Sequence, residues 1–500
     1  MNPRLRAVCD LTMANSREYA GLHDYDGQVQ DLSPSGLAAG VAALGKGPAE
    51  PDVFDEAFLT ANETALRTTY SDLEFHRRNP LAHLGNLDLS CYERDYAPAD
   101  ERREARRRHL AAWPDAIDGS IESLDQVPAP VAAALLVAVR GLTADIDADD
   151  ETNAAALAAH TRLVAHLEAS ARDGDPDASI GADALARTLG EGEATVVDLG
   201  PLAAAADAER DRLRALLTDS CHRLDPDADP GELFARLARD HPDPEGIYAE
   251  ARAQITEATA FTIERDLLGD PGGECLVGPA PPARSWAMAM MSPAAPFEAD
   301  APSWYYVTPP DPSWPKDEQE AWLQVFSRTT LPAITVHEVT PGHYAHGRYL
   351  RTLTSDVRRA LGSYAFIEGW AHYCEELFVE EGFRADDPRF AIGMAVDALI
   401  RVTRLAVSIG VHTGAMTVDE ATARFERDAF LEGPAARSEA NRATFDPGYG
   451  SYTWGKLALR DLREKAKTQW GAGFTLRRFH EAVLDLGSPP IGLQHHALNG

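Results

Sequence analysis

Residues 336–346 read VHEVTPGHYAH, and a regular helix cannot bring the first two histidines of this stretch together. His337 and His343 are six residues apart, with Pro341 and Gly342 between them. A helix advances ~100° per residue, so six steps leave the second histidine ~240° around the axis, nearly opposite the first. Pro341 lacks the N–H that would bond the His337 carbonyl, and its ring crowds that carbonyl. Gly342 can take up the dihedrals of a break. The stretch therefore predicts a helix over 331–350 that kinks or bulges at Pro341-Gly342 and returns His343 to the His337 face.

The stretch 367–376, IEGWAHYCEE, supplies what such a pair needs. Glu368 lies 25 residues beyond His343. Glu368, His372 and Glu375 stand at i, i+4 and i+7, on one helix face. Two histidines and a carboxylate from a following helix make a His2Glu set, which leaves a fourth position on zinc for water. His337, His343 and Glu368 are thus the candidate ligands of one Zn²⁺. Glu338, beside the first ligand, projects ~100° away from it and is the candidate general base. Glu375 is the candidate carboxylate for the second ring nitrogen of a ligand histidine. His346 is out of phase with His337. His372 shares the Glu368 face and is expected as a catalytic group, either facing substrate or supporting a ligand from behind, more than as a ligand itself.

Charge narrows the partners. Acidic residues number 79 against 47 basic, a formal charge of −32. Nucleic acids and anionic membranes require basic patches, so neither is expected as a partner. The five cysteines are scattered and form no C-x-x-C, the N-terminus lacks an apolar stretch of signal-peptide type, and no run of 18 apolar residues occurs. A cytoplasmic protein is the expectation.

Helical spacing recurs through the first 270 residues, for example over 131–145 and 152–172, interrupted by Asp/Pro/Gly clusters. Residues 268–285, LGDPGGECLVGPAPPARS, form the best linker candidate and suggest regions 1–280 (helical) and 281–500 (zinc-binding, catalytic), or one continuous two-lobed unit over 1–500. SWYYV at 303–307 is aromatic and β-prone, and is expected as an edge strand beside the metal. Further helices are expected over 318–328, 391–414, 417–432, 455–468 and 475–486.

HEVTPGH together with EGWAHYCEE resembles the paired signatures HExxPGH and EGWA-x-Y-x-E of domain-of-unknown-function family 885. LPAITVHE (331–338), SYTWGKLALRDLR (451–463) and RRFHEAVLDLGSPP (477–490) extend the resemblance. It implies a mainly α fold: a large helical zincin-like, gluzincin-type metallopeptidase with a small edge β-sheet lining a deep cleft. It also implies peptide hydrolysis and points to Tyr452 as the donor to the oxyanion, with Tyr449 as competitor. The reaction expected is zinc-dependent cleavage of amide bonds in short peptides, carboxypeptidase action included. A zinc amidohydrolase of a non-peptide metabolite and a non-catalytic helical binding protein that keeps a metal are the alternatives. Carboxypeptidase action would require a cation for the terminal carboxylate, and Arg442, Lys456 and Arg460 are the candidates in sequence.

Overall fold

The computed structural model describes residues 1–499 apart from 282, 283, 285, 286 and 300. Helices dominate, and their ends fall where the sequence changes character. The helix Ala154–Asp173 stops at DGDPDAS, and α1, Leu199–Leu224, stops at DPDADPGE. Within that second cluster Asp229 caps the next helix, its carboxylate accepting from the N–H groups of Gly231 and Glu232. Such a cap satisfies donors that the first turn leaves free. Helix α2 spans Gly246–Glu264.

Three short strands follow: β1 (Cys275–Gly278), β2 (Ala289–Ser292) and β3 (Ser303–Val307), in the order β1-β3-β2. β3 runs parallel to β1 and antiparallel to β2. Two expectations change here. The 303–307 strand forms, but it is the central strand; the edge that meets the 331–350 stretch is β2. The linker candidate 268–285 contains β1, whose hydrogen bonds commit it to the sheet, while its residues 282, 283 and 285 lie outside the described residues.

The 331–350 stretch divides fully instead of kinking. Helix α3, Leu331–Glu338, ends before Val339, and α4, His343–Leu350, begins after Gly342. The Thr340–Pro341 peptide within the break is cis. Gly342 sits so close to the end of α3 that a Cβ there would lie 1.8 Å from the His337 carbonyl oxygen. The Trp370 indole N–H donates to the Pro341 carbonyl at 2.9 Å and ties the break to the next helix.

That helix is α5, Tyr364–Glu380, followed by α6 (Arg389–His412), α7 (Gly433–Phe445) and α8 (Ser451–Trp470). Ser363 caps α5, accepting from the Phe366 N–H, and donates in turn to the buried Glu193 carboxylate. α5 crosses α8 backbone to backbone. A Cβ on Gly455 would lie 1.7 Å from the Ala365 carbonyl oxygen, and one on Gly369 would lie 2.5 Å from Gly455. A mid-helix glycine costs about 1 kcal/mol relative to alanine, and at both positions contact between main chains requires it. The largest buried cluster joins Leu5, Phe58 and Leu213 with Val336, Trp370, Leu399 and Leu498, so both sides of residue 280 contribute to one core. Among the described residues no helix is long and apolar enough to cross a membrane.

Candidate metal centre

The break between α3 and α4 brings the two histidines face to face. Their ring centroids are 4.7 Å apart and the planes nearly perpendicular. Both Nε2 atoms lie 3.5 Å from Glu368 Oε2 on α5. A tetrahedral ion with ligand bonds of about 2.1 Å separates its ligand atoms by roughly 3.4 Å. Two nitrogens and a carboxylate oxygen at this spacing therefore fit one zinc ion. Among the described residues, His337, His343 and Glu368 are the only three or more His, Cys, Asp or Glu side chains whose ligand atoms converge in this way. The His343 and Glu368 side chains are each 15% exposed, whereas those of His337 and Glu375 are 6% and 0% exposed.

Behind the centre stands a carboxylate. Glu375, two turns beyond Glu368 on α5, is fully buried, and its Oε1 lies 2.6 Å from His337 Nδ1. Its other oxygen accepts from Arg401 Nη1 at 2.9 Å, and Arg401 Nη2 lies 3.1 Å from Asp397. The Nδ1–H of His337 thus points at Glu375 and leaves Nε2 for a metal, the usual arrangement for a ligand histidine. Burial would lower the His337 pKa, and Arg401 works the same way. The Glu368 and Glu375 carboxylates outweigh both and raise it to about 9. Burial would raise the Glu368 pKa, but His343 and His337 hold it below the usual carboxylate range.

Glu338, the last residue of α3, turns toward the sheet. Its Oε2 accepts the Met291 N–H of β2 at 2.7 Å, which fixes one oxygen and leaves the other unengaged by β2. Tyr452, on the first turn of α8, stacks on His337 with centroids 6.5 Å apart. The Tyr364 hydroxyl, from the first turn of α5, donates to the Tyr452 oxygen at 3.1 Å. Burial and the nearby Glu368 charge raise the Tyr452 pKa, so its hydroxyl remains protonated. Tyr449 is fully buried in the cluster of Val411, Phe425 and Ala440, and its hydroxyl donates to the Glu439 carbonyl. It has no access to the centre.

Several expected site residues stand elsewhere. His372 is fully buried, its Nδ1 3.5 Å from Glu375 Oε2, and burial lowers its pKa to about 3. Of the two positions expected for it, it takes the one behind the ligands, backing Glu375, because i+4 on α5 turns further into the core than Glu368 does. His346 meets Ser488 and Phe366, away from the other histidines. Lys456 is fully buried between Glu209 and Glu376, and Arg460 faces the same two carboxylates.

Sequence reasoning missed Arg401, Tyr364 and the Met291 N–H. Asp397 and Arg401, at i and i+4 inside the apolar run of α6, were the available signal: opposite charges at that spacing in a buried helix form an internal pair.

No curated protein matches the chain. Two solved structures share its fold. One is a protein of unknown function from Shewanella oneidensis, designated a lipoprotein, 20% identical over 98% of this chain and 97% of that one, with a TM-score of 0.78. The other, from Colwellia psychrerythraea and also designated a lipoprotein, is 16% identical over 99% and 97%, with a TM-score of 0.79. The expectation of a cytoplasmic protein is corrected here: both of these proteins that share the fold are described as lipoproteins, and cysteine usage does not fix a compartment. Residues 15–496 match the family described as "Bacterial protein of unknown function (DUF885)", and the chain belongs to that family.

Proposed function

We propose that the chain is a zinc-dependent hydrolase that cleaves amide bonds of short peptides. The observation that carries this reading is a carboxylate outside the ligand set on the residue that follows a ligand: Glu338 comes directly after His337 at the end of α3, and its carboxylate is held by the Met291 N–H. A purely structural zinc site closes all four positions with protein ligands and has no use for such a group. When bound by His337, His343 and Glu368, the ion supplies a Lewis acid that makes water nucleophilic at neutral pH.

The remaining work belongs to the chain's own side chains. Glu338 accepts the proton of the attacking water on the oxygen that β2 leaves free, and returns it to the departing amine. Tyr452 donates to the oxygen that becomes negative as the carbonyl turns tetrahedral. Because Tyr364 donates to the Tyr452 oxygen, the Tyr452 hydrogen is left to point at substrate. Glu375 and Arg401 hold the His337 ring in orientation. The zincin-like arrangement, with a sheet edge along a substrate cleft, is part of this proposal, and the contact between β2 and Glu338 supports it.

The test is Glu338→Gln. The variant should keep about one zinc per chain and lose roughly 10²–10⁴-fold in turnover of acetylated tripeptides, the contribution of a general base. Near-normal turnover would reassign the base. Well-folded protein that takes up no zinc would end the hydrolase reading.

A further inference from the structure

The cations around the centre differ in how fully they are engaged. Arg401 commits both terminal nitrogens, one to Glu375 and one to Asp397. Arg404 holds Glu439 with two bonds of 2.8 and 2.6 Å. Lys456 is enclosed by two carboxylates. Arg404 leaves its Nη1 without a hydrogen-bond partner among the described residues too, but Arg442, at the end of α7, is about twice as exposed, 32% against 15%. Its Nε and Nη2 both bond a single oxygen of Asp446, at 3.0 and 2.9 Å. Its Nη1 has no hydrogen-bond partner among the described residues, and its side chain is 32% exposed.

Arg442 is also held in place. Its guanidinium lies 5.4 Å from the centroid of the buried Tyr449 ring, and Asp446 pins it from the other side. Its charge acts on both Tyr452, which stacks on His337, and Tyr364, which bonds the Tyr452 hydroxyl. A guanidinium offers a planar fork of donors suited to a carboxylate. In a chain with a net charge of −32, an anion is admitted only where a local cation faces it.

We propose that Arg442 receives a carboxylate of the substrate on the side of the centre where Tyr452 and Tyr364 stand; the proposal rests on the hydrolase reading. A C-terminal carboxylate and the side chain of an acidic residue offer the same chemistry, and the test separates them.

Binding is measured calorimetrically in the zinc-supplied Glu338→Gln variant, which isolates affinity from turnover. The probes are acetyl-Ala-Ala-Ala, its C-terminal amide, and acetyl-Ala-Ala-Glu amide. At least one of the two carboxylate-bearing probes should bind roughly ten- to a hundredfold more tightly than the neutral amide, the strength of a charge-assisted pair. Adding Arg442→Gln should abolish that preference, and Arg442→Lys should restore part of it. Asp446→Asn, which frees Arg442 from its competitor, should tighten the preferred acid further. Equal binding of acids and amide, no binding of either acid, or a preference that survives Arg442→Gln with unchanged melting temperature would overturn the proposal. Turnover by the parent protein decides the hydrolase reading separately.

Discussion

Gly342→Ala tests whether the break in the motif creates the metal centre. In the parent chain the position of Gly342 is set by contact, since an added Cβ would lie 1.8 Å from the His337 carbonyl oxygen and 2.5 Å from that of Val336. Even tight carbon contacts do not fall below 3.0 Å. The end of α3 and the start of α4 must therefore separate by at least ~1 Å, because repulsion rises steeply inside contact distance. His337 and His343 are the residues at those two ends. Metal–ligand distances tolerate only about ±0.2 Å, so a displacement of ~1 Å removes one histidine from good coordination. Zinc affinity should fall by at least 10–100-fold, the range seen when ligand orientation alone is disturbed. Overpacking should also cost about 1–3 kcal/mol of stability. The assay is competition for zinc against a chromophoric chelator, with thermal denaturation alongside. Gly85→Ala is the control, since a Cβ at Gly85 meets nothing within 4 Å. A Gly342→Ala protein that binds zinc within twofold of the parent would refute the argument that this contact sets the ligand geometry.

Three further outcomes follow from the buried charges. Glu375→Gln removes the anion between His337 and Arg401, and zinc affinity should drop about 10–100-fold in the same competition assay; an unchanged affinity would show that Glu375 does not support the ligand. Lys456→Met leaves Glu209 and Glu376 without their shared ammonium and should cost about 3–5 kcal/mol in denaturant unfolding. The same group sets an acid limit. Burial would raise the Glu209 pKa, but Arg212 and Lys456 bring it down to about 2, so its contribution is complete above the unfolded value of about 4.3 and is lost as pH falls from there toward 2. The parent should lose stability steeply over that window, and Lys456→Met should lose less; equal losses would exclude this ion group as the source.

The legible parts of the site were those encoded by short-range geometry. The phase error between His337 and His343, with Pro341-Gly342 inside it, announces a break, and the i, i+7 spacing puts Glu368 and Glu375 on one face of α5. The extent of the break was not legible. Complete separation of α3 from α4 depends on the Trp370–Pro341 bond, a contact across 29 residues. β2 was missed because Ala-Met-Met-Ser has little β-propensity and is made a strand by its pairing with β3. The shared face of α5 brings Glu375 to His337 and buries His372 behind it, and spacing alone did not separate the two fates, because it says which residues share a face and not which end of that face meets solvent. Glu193, which holds the cap of α5 from the N-terminal half, left no local signal at all.

The Gly369–Gly455 crossing governs how such a centre can move. Where side chains separate two helices, rotamer changes let one slide over the other. Here main chain meets main chain, so α5 and α8 have no slack to take up. Glu368 and Tyr452, one on each helix, therefore travel as one body. On the hydrolase reading, an opening that admits substrate comes from elsewhere, such as the contact between β2 and Glu338, or from rotation of the tyrosine side chain itself.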